Sequence, residues 1–171
     1  MEINKHIHKE NPIRKFLPLI IIFSSIILFT VSTNYFLGFS LSFAMRMMMG
    51  SFFLIFSGFK LFNLTAFAEA YSTYDILAMR YRAYAFIYPF LELWLAFLYL
   101  HNVWGIKRDI FTFLLMSISA FGVIQKLRQK EEIPCACLGM VFKMPMTWVT
   151  LIEDVLMALE ALAMIILALS K

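Results

Sequence analysis

Cys135 and Cys137 are the only two thiols in a chain of 171 residues. One residue separates them in the run Ile133-Pro134-Cys135-Ala136-Cys137-Leu138-Gly139. A disulfide across so short a spacer closes a small, strained ring, and strain makes the bond easier to reduce, so the pair suits exchange better than bridging. Pro134 and Gly139 bracket it with one rigid and one permissive position, as in a functional turn. As the only cysteines, the two pair with each other or act with an external partner. The same thiolates admit a second chemistry, the holding of Cu(I) or another thiophilic ion with Met140, Met144 and Met146 nearby. The chain has 12 methionines, and Met also fills cores, so that proximity is less distinctive. The plainest alternative is two loop cysteines with no joint role.

Acidic side chains inside apolar stretches are the next signal, because burying a charge in a membrane costs at least ~2–3 kcal/mol and is usually tied to a partner or a pathway. Glu92 sits about three turns into one such stretch. In the last one, Thr150, Glu153, Met157, Glu160 and Met164 recur at three- and four-residue spacing, with Asp154 at the edge of the stripe. The stripe begins about two turns after the cysteine segment and is placed to line a polar passage below it. The structural alternative is that these acids pair with Arg46, Lys60, Arg80 or Arg82 to hold helices in register, and that Asp75 pairs with Arg82. His101 reads as an interface residue, while His6 and His8 lie in a polar arm. There is no Ser-His-Asp set, phosphate loop or four-ligand zinc spacing, so no cofactor is implied beyond the thiophilic-ion alternative.

The elements that position these residues follow from composition. The chain is 62% hydrophobic and 15% charged, against about half apolar and about a quarter charged in an ordinary soluble domain. That excess calls for a lipid bilayer as solvent, where a spanning helix needs about 20 apolar residues and satisfies its own backbone. The net charge of +4 is scattered among loops without a basic stripe, which argues against nucleic acid as a partner. A basic arm over 1–15 precedes a first span over 16–38, too long for the apolar region of a cleaved signal and therefore read as retained. Pro18 falls in its first turn, where a missing N–H costs little.

A second span over 44–61 has Arg46 and Lys60 at its ends, placed to snorkel toward headgroups. Gly50 and Gly58 share nearly one face and would permit close packing. The stretch 63–82 is too polar to span, yet Phe67, Tyr71, Tyr74, Ala78 and Tyr81 recur at helical spacing, which predicts one interfacial or re-entrant helix. Third and fourth spans follow over 83–101 and 109–124, then the cysteine-bearing loop 125–146 and a fifth span over 147–170. The fold class is all-α, a polytopic membrane bundle without a second domain. With five crossings, eleven of the 15 Lys and Arg residues fall on the side of the N-terminus and the cysteine loop, which the positive-inside rule places in the cytoplasm.

The order Gly58-Phe59-Lys60-Leu61, Asn63, Phe67, Tyr71, Pro89, Glu92-Leu93 and Cys135-Ala136-Cys137-Leu138-Gly139 resembles the MauE branch of the DoxX-like membrane proteins over residues 44–170. The resemblance implies a four-helix core, with the first span added ahead of it, in a bacterial inner membrane. It also implies a link to thiol redox and to methylamine dehydrogenase maturation, and a thioredoxin-like protein as partner. On that reading Cys135 and Cys137 carry the chemistry, supported by Pro134, Gly139, Lys60, Glu92, Glu153, Asp154 and Glu160. Glu153-Asp154 stands where the family tends to place a basic or amide residue. Two other functions remain open: a soft-metal transport or binding protein using the same thiolates, and an accessory subunit whose helices stabilise a larger complex.

Overall fold

A chain this apolar can satisfy its backbone in lipid only by forming helices, and the computed structural model, which describes residues 12–38, 40–129 and 147–170, contains no strand among them. In order, the helices are α1 (Pro12–Leu37), α2 (Leu41–Phe62), α3 (Leu64–Tyr71), α4 (Ile76–Arg80), α5 (Arg82–Leu100), α6 (Ile106–Arg128) and α7 (Thr147–Leu169). Four of them, α1 from Leu17 onward, α2, α5 and α6, are long and apolar enough to cross a membrane. At about 1.5 Å rise per residue, the 19 residues of α5 reach about 28 Å, close to the ~30 Å hydrocarbon core. α7 has 23 residues but carries Glu153, Asp154 and Glu160, and it packs along α6.

Side chains are sorted for a lipid surround. Leu28, Phe90, Phe97, Leu114, Phe121 and Ile166 face outward, while Ser57, Glu92, Thr112, Ser119 and Asp154 are buried. α2 packs along α5 and α6 along α7, and together these form the core. α1 is peripheral: 22% of its apolar window is buried, against 39% to 44% in the other three spans. Asn34 holds the α1–α2 turn by accepting from the Ser40 amide at 3.0 Å, and Gly38 supplies a φ of +90° there.

The segment 63–82 is two short helices rather than one. Asn63 caps α3 through its side chain, accepting from the Ala66 amide. At the other end the Ser72 and Thr73 hydroxyls donate to the carbonyls of Ala68 and Ala70 at 2.6 and 2.7 Å. Such side chains offer local hydrogen bonds that compete with helix continuation. Asp75, in extended conformation, then caps α4 through the Ala78 amide. Phe67, Tyr71, Tyr74 and Ala78 all turn into the bundle, whereas Tyr81 is exposed.

Three sequence expectations change. Asp75 does not pair with Arg82, because its carboxylate is engaged by the α4 cap and by the Tyr71 hydroxyl at 3.0 Å, and Arg82 instead meets Glu69 at 3.7 Å on the exposed surface. Lys60 does not snorkel, since it is buried. Of the two α2 glycines, Gly50 lies against Leu100, while Gly58 has open space where a Cβ would stand.

Candidate functional site: a buried ionic chamber

Four elements converge on one point within the bundle. Lys60 lies in the last turn of α2. Tyr88 and Glu92 are one turn apart on α5 and therefore share a face. α6 brings Ser119, α7 brings Thr150, Glu153 and Asp154, and Tyr71 and Tyr74 close the chamber from α3 and the turn after it. The enclosed volume is about 20 Å³, room for roughly one water.

Lys60 donates from Nζ to Oε1 of Glu92. Its ammonium also stands 5.0 Å from the Tyr88 ring centroid and 5.5 Å from that of Phe67, so aromatic faces supply part of what water would. Three carboxyls, those of Glu92, Glu153 and Asp154, line a chamber whose wall holds one cation, Lys60. Oε2 of Glu92 and Oδ2 of Asp154 are buried without a hydrogen-bond partner among the described residues. Such a chamber can hold a water or a proton between carboxyl oxygens, one of the roles that acids kept at membrane depth serve.

Of the predicted supporting residues, the structure thus brings Lys60, Glu92, Glu153 and Asp154 together. Glu160 stands apart: it borders an apolar cavity of about 480 Å³ with Phe23, Ile27, Met48 and Leu156, between α1, α2 and α7. Cys135 and Cys137, with Pro134, Gly139, Met140, Met144 and Met146, lie outside the described residues. Their place in the chain is nonetheless defined, since the segment that carries them joins the end of α6 to the start of α7. Glu153 is six residues into α7, about 9 Å along the axis.

Sequence reasoning passed over Tyr88 and Ser119. Tyr88 is detectable as the residue one turn before Glu92, and Ser119 as a lone hydroxyl amid apolar neighbours on α6. It also passed over Arg108 and Asp109, which read as loop and span-edge charges but are 2% and 3% exposed and joined at 2.9 Å.

The fold and this chamber define a class, the multi-pass all-helical membrane protein with ionisable groups buried inside its bundle. Within that class the chain belongs to the MauE family: the model of methylamine utilisation protein MauE matches residues 34–169. The match starts in the last turn of α1 and covers α2 to α7, which leaves most of α1 ahead of the shared region. No curated protein and no solved structure matches the chain.

Proposed function

We propose that the protein passes reducing equivalents between thiols at a bacterial inner membrane, through Cys135 and Cys137, and so sets the thiol state or maturation of a partner protein. The observation that carries this reading is connectivity: the Cys-x-Cys segment links α6 to α7, the two helices that bring Ser119, Glu153 and Asp154 to the ionic chamber. Membership of a family described by methylamine utilisation supports a maturation role, and a thioredoxin-like protein is the natural exchange partner.

In the exchange, a partner thiolate attacks one sulfur of the Cys135–Cys137 disulfide. An S–S bond forms between the chains as the internal one breaks, and the other cysteine leaves as thiolate. The second partner thiol, deprotonated, then displaces the mixed disulfide. Two electrons and two protons pass from the partner dithiol to the pair, and the reverse sequence returns them. On this reading the chamber acids, with Glu153 about 9 Å along α7 from its first residue, hold protons during this traffic.

The test is thiol trapping of the purified protein in parallel with metal analysis. A redox pair cycles between disulfide and dithiol under a thioredoxin-like poise, and Cys135→Ser or Cys137→Ser traps or abolishes the mixed disulfide without loss of folding. A one-residue spacer closes too short a loop to constrain the unfolded chain much, so stability is not the cause of such an effect. A pair that never oxidises yet retains one thiophilic ion through purification would sink this reading in favour of soft-metal binding with Met140, Met144 and Met146.

A further inference from the structure

A second cavity, lined by both polar and apolar side chains, opens at the end of the bundle where α2 and α6 begin. It measures about 370 Å³, and its wall includes Ser40, Ser42, Arg46, Asn102, Arg108 and Asp109. The α1–α2 turn, the α5–α6 turn and the last turns of α7 all meet there, since Met164 and Leu167 also border it. Arg108 is 2% exposed. Its guanidinium lies 4.1 Å from the Tyr99 ring centroid, and it donates to Asp109 at 2.9 Å and to the Leu98 carbonyl at 3.3 Å.

Asp109 therefore offsets one of the two guanidiniums on this cavity. Arg46, half-buried, forms no ion pair or hydrogen bond with the described residues and stands 5.5 Å from the Phe43 ring centroid. Among the described residues one positive charge is left in surplus on the wall of this open-mouthed cavity, where an anion would be drawn in. The Ser40 hydroxyl is free of capping duty on α2, which leaves it as a further donor. α2 and α6 both begin at the rim, and their positive ends add to the same field without being needed for the assignment. Trp104, 55% exposed, marks this end as the depth of lipid headgroups.

We propose that this cavity binds a phosphate group, gripped by Arg46 and Arg108 with the Ser40 and Ser42 hydroxyls at its edge. The planar guanidinium fork of Arg46 can place two donors on phosphate oxygens at once, while Arg108, whose Nε and Nη1 serve Asp109 and Leu98, offers Nη2. An anionic phospholipid headgroup and free inorganic phosphate offer the same chemistry, and the experiment separates them.

The full chain is purified in a maltoside detergent, which carries no phosphate, and titrated in separate arms with short-chain phosphatidylglycerol and with inorganic phosphate. Wild type is compared with Arg46→Gln, which leaves the Arg108–Asp109 pair intact, and with Arg46→Lys, which keeps the charge but not the fork. The expected result is binding weakened about tenfold or more in Arg46→Gln and to an intermediate degree in Arg46→Lys, with unchanged helicity and unfolding temperature in the absence of ligand. Loss in the lipid arm alone assigns a headgroup, and loss in the inorganic phosphate arm assigns the bare anion. If neither probe binds wild type more tightly than Arg46→Gln, as expected of an arginine that only snorkels, the proposal is overturned.

Discussion

Lys60 and Glu92 are 32 residues apart in the chain and meet as an ion pair whose side chains are 9% and 2% exposed, tying the end of α2 to the middle of α5. Removing one partner of such a pair strands the other charge, which costs about 3–5 kcal/mol, whereas replacing both by apolar groups is often near neutral. Lys60→Met should therefore destabilise the protein by an amount in that range. Glu92→Leu should cost less, because Glu153 and Asp154 still line the same chamber. The Lys60→Met/Glu92→Leu double variant should fall well short of the sum. Unfolding in detergent followed by circular dichroism gives the three values, and strict additivity would show that the two residues do not act as a pair.

How much of this was legible in the sequence depends on the range over which each signal acts. The long apolar stretches fixed where α1, α2, α5 and α6 run because membrane length and backbone satisfaction leave no other solution. Glu92 and the α7 acids stood out for the cost of their burial, and Lys60 was already among their possible partners. Which partner each acid takes was not legible, since pairing across α2 and α5 depends on the rotation of each helix. The break in 63–82 was partly visible in Ser72, Thr73 and Asp75, whose side chains compete for backbone groups, but the aromatic periodicity outweighed them. Arg108 was hidden by its neighbours: beside Lys107 and a turn, nothing local says that its side chain folds back under Tyr99.

Asp75 lies outside the spanning helices and is fully buried, and burial raises its carboxyl pKa above the ordinary 3.8 although its hydrogen bonds to Ala78 and Tyr71 pull the other way. The folded state therefore holds this proton to higher pH than the unfolded chain does. Its contribution favours folding at low pH, falls as pH climbs from 3.8 through the raised folded value, and is level above that. Asp75→Asn keeps an oxygen to accept from the Ala78 amide, faces the Tyr71 hydroxyl with an NH2 that donates to its oxygen instead, and removes the titration. Unfolding temperatures taken from about pH 4 to about pH 7 should decline less in the variant than in wild type, with the variant at least as stable at neutral pH. An unaltered pH profile would mean that Asp75 titrates alike in both states.

Three glycines should respond to alanine in a fixed order. A Cβ on Gly122 would lie 2.5 Å from the Tyr74 carbonyl oxygen and 3.2 Å from Cα of Asp75, both backbone. No rotamer change relieves that contact, so Gly122→Ala should cost about 1–3 kcal/mol despite the better helix propensity of alanine. At Gly50 the nearest atoms are side-chain carbons of Leu100 at 2.8 Å, which can shift, and the loss should be smaller. Gly58 meets nothing within 4 Å, and Gly58→Ala should gain up to about 1 kcal/mol. Thermal unfolding of the three variants gives the ranking, and a tolerated Gly122→Ala would mean that α6 does not press on the 72–75 turn.

The last prediction concerns orientation. The α1–α2 turn, the α5–α6 turn and the end of α7 gather at one end of the bundle, so the segment between α6 and α7 that holds Cys135 and Cys137 leaves from the other. With α7 counted as a fifth crossing beside the four helices apolar enough to span, eleven of the 15 Lys and Arg residues belong to the cysteine side. Lys60 and Arg108 are buried in ion pairs and drop out of the count, one from each side, so the bias persists. The rule that cytoplasmic segments hold the excess of basic residues then puts both cysteines in the cytoplasm. A membrane-impermeant maleimide applied to intact spheroplasts should leave them unlabelled until the cells are lysed. A Val103→Cys variant lacking both native cysteines should instead react from outside, because Val103 lies exposed in the α5–α6 turn at the opposite end. Rapid labelling of Cys135 in intact spheroplasts, with Val103→Cys protected, would invert the topology and move thiol exchange to the periplasmic face.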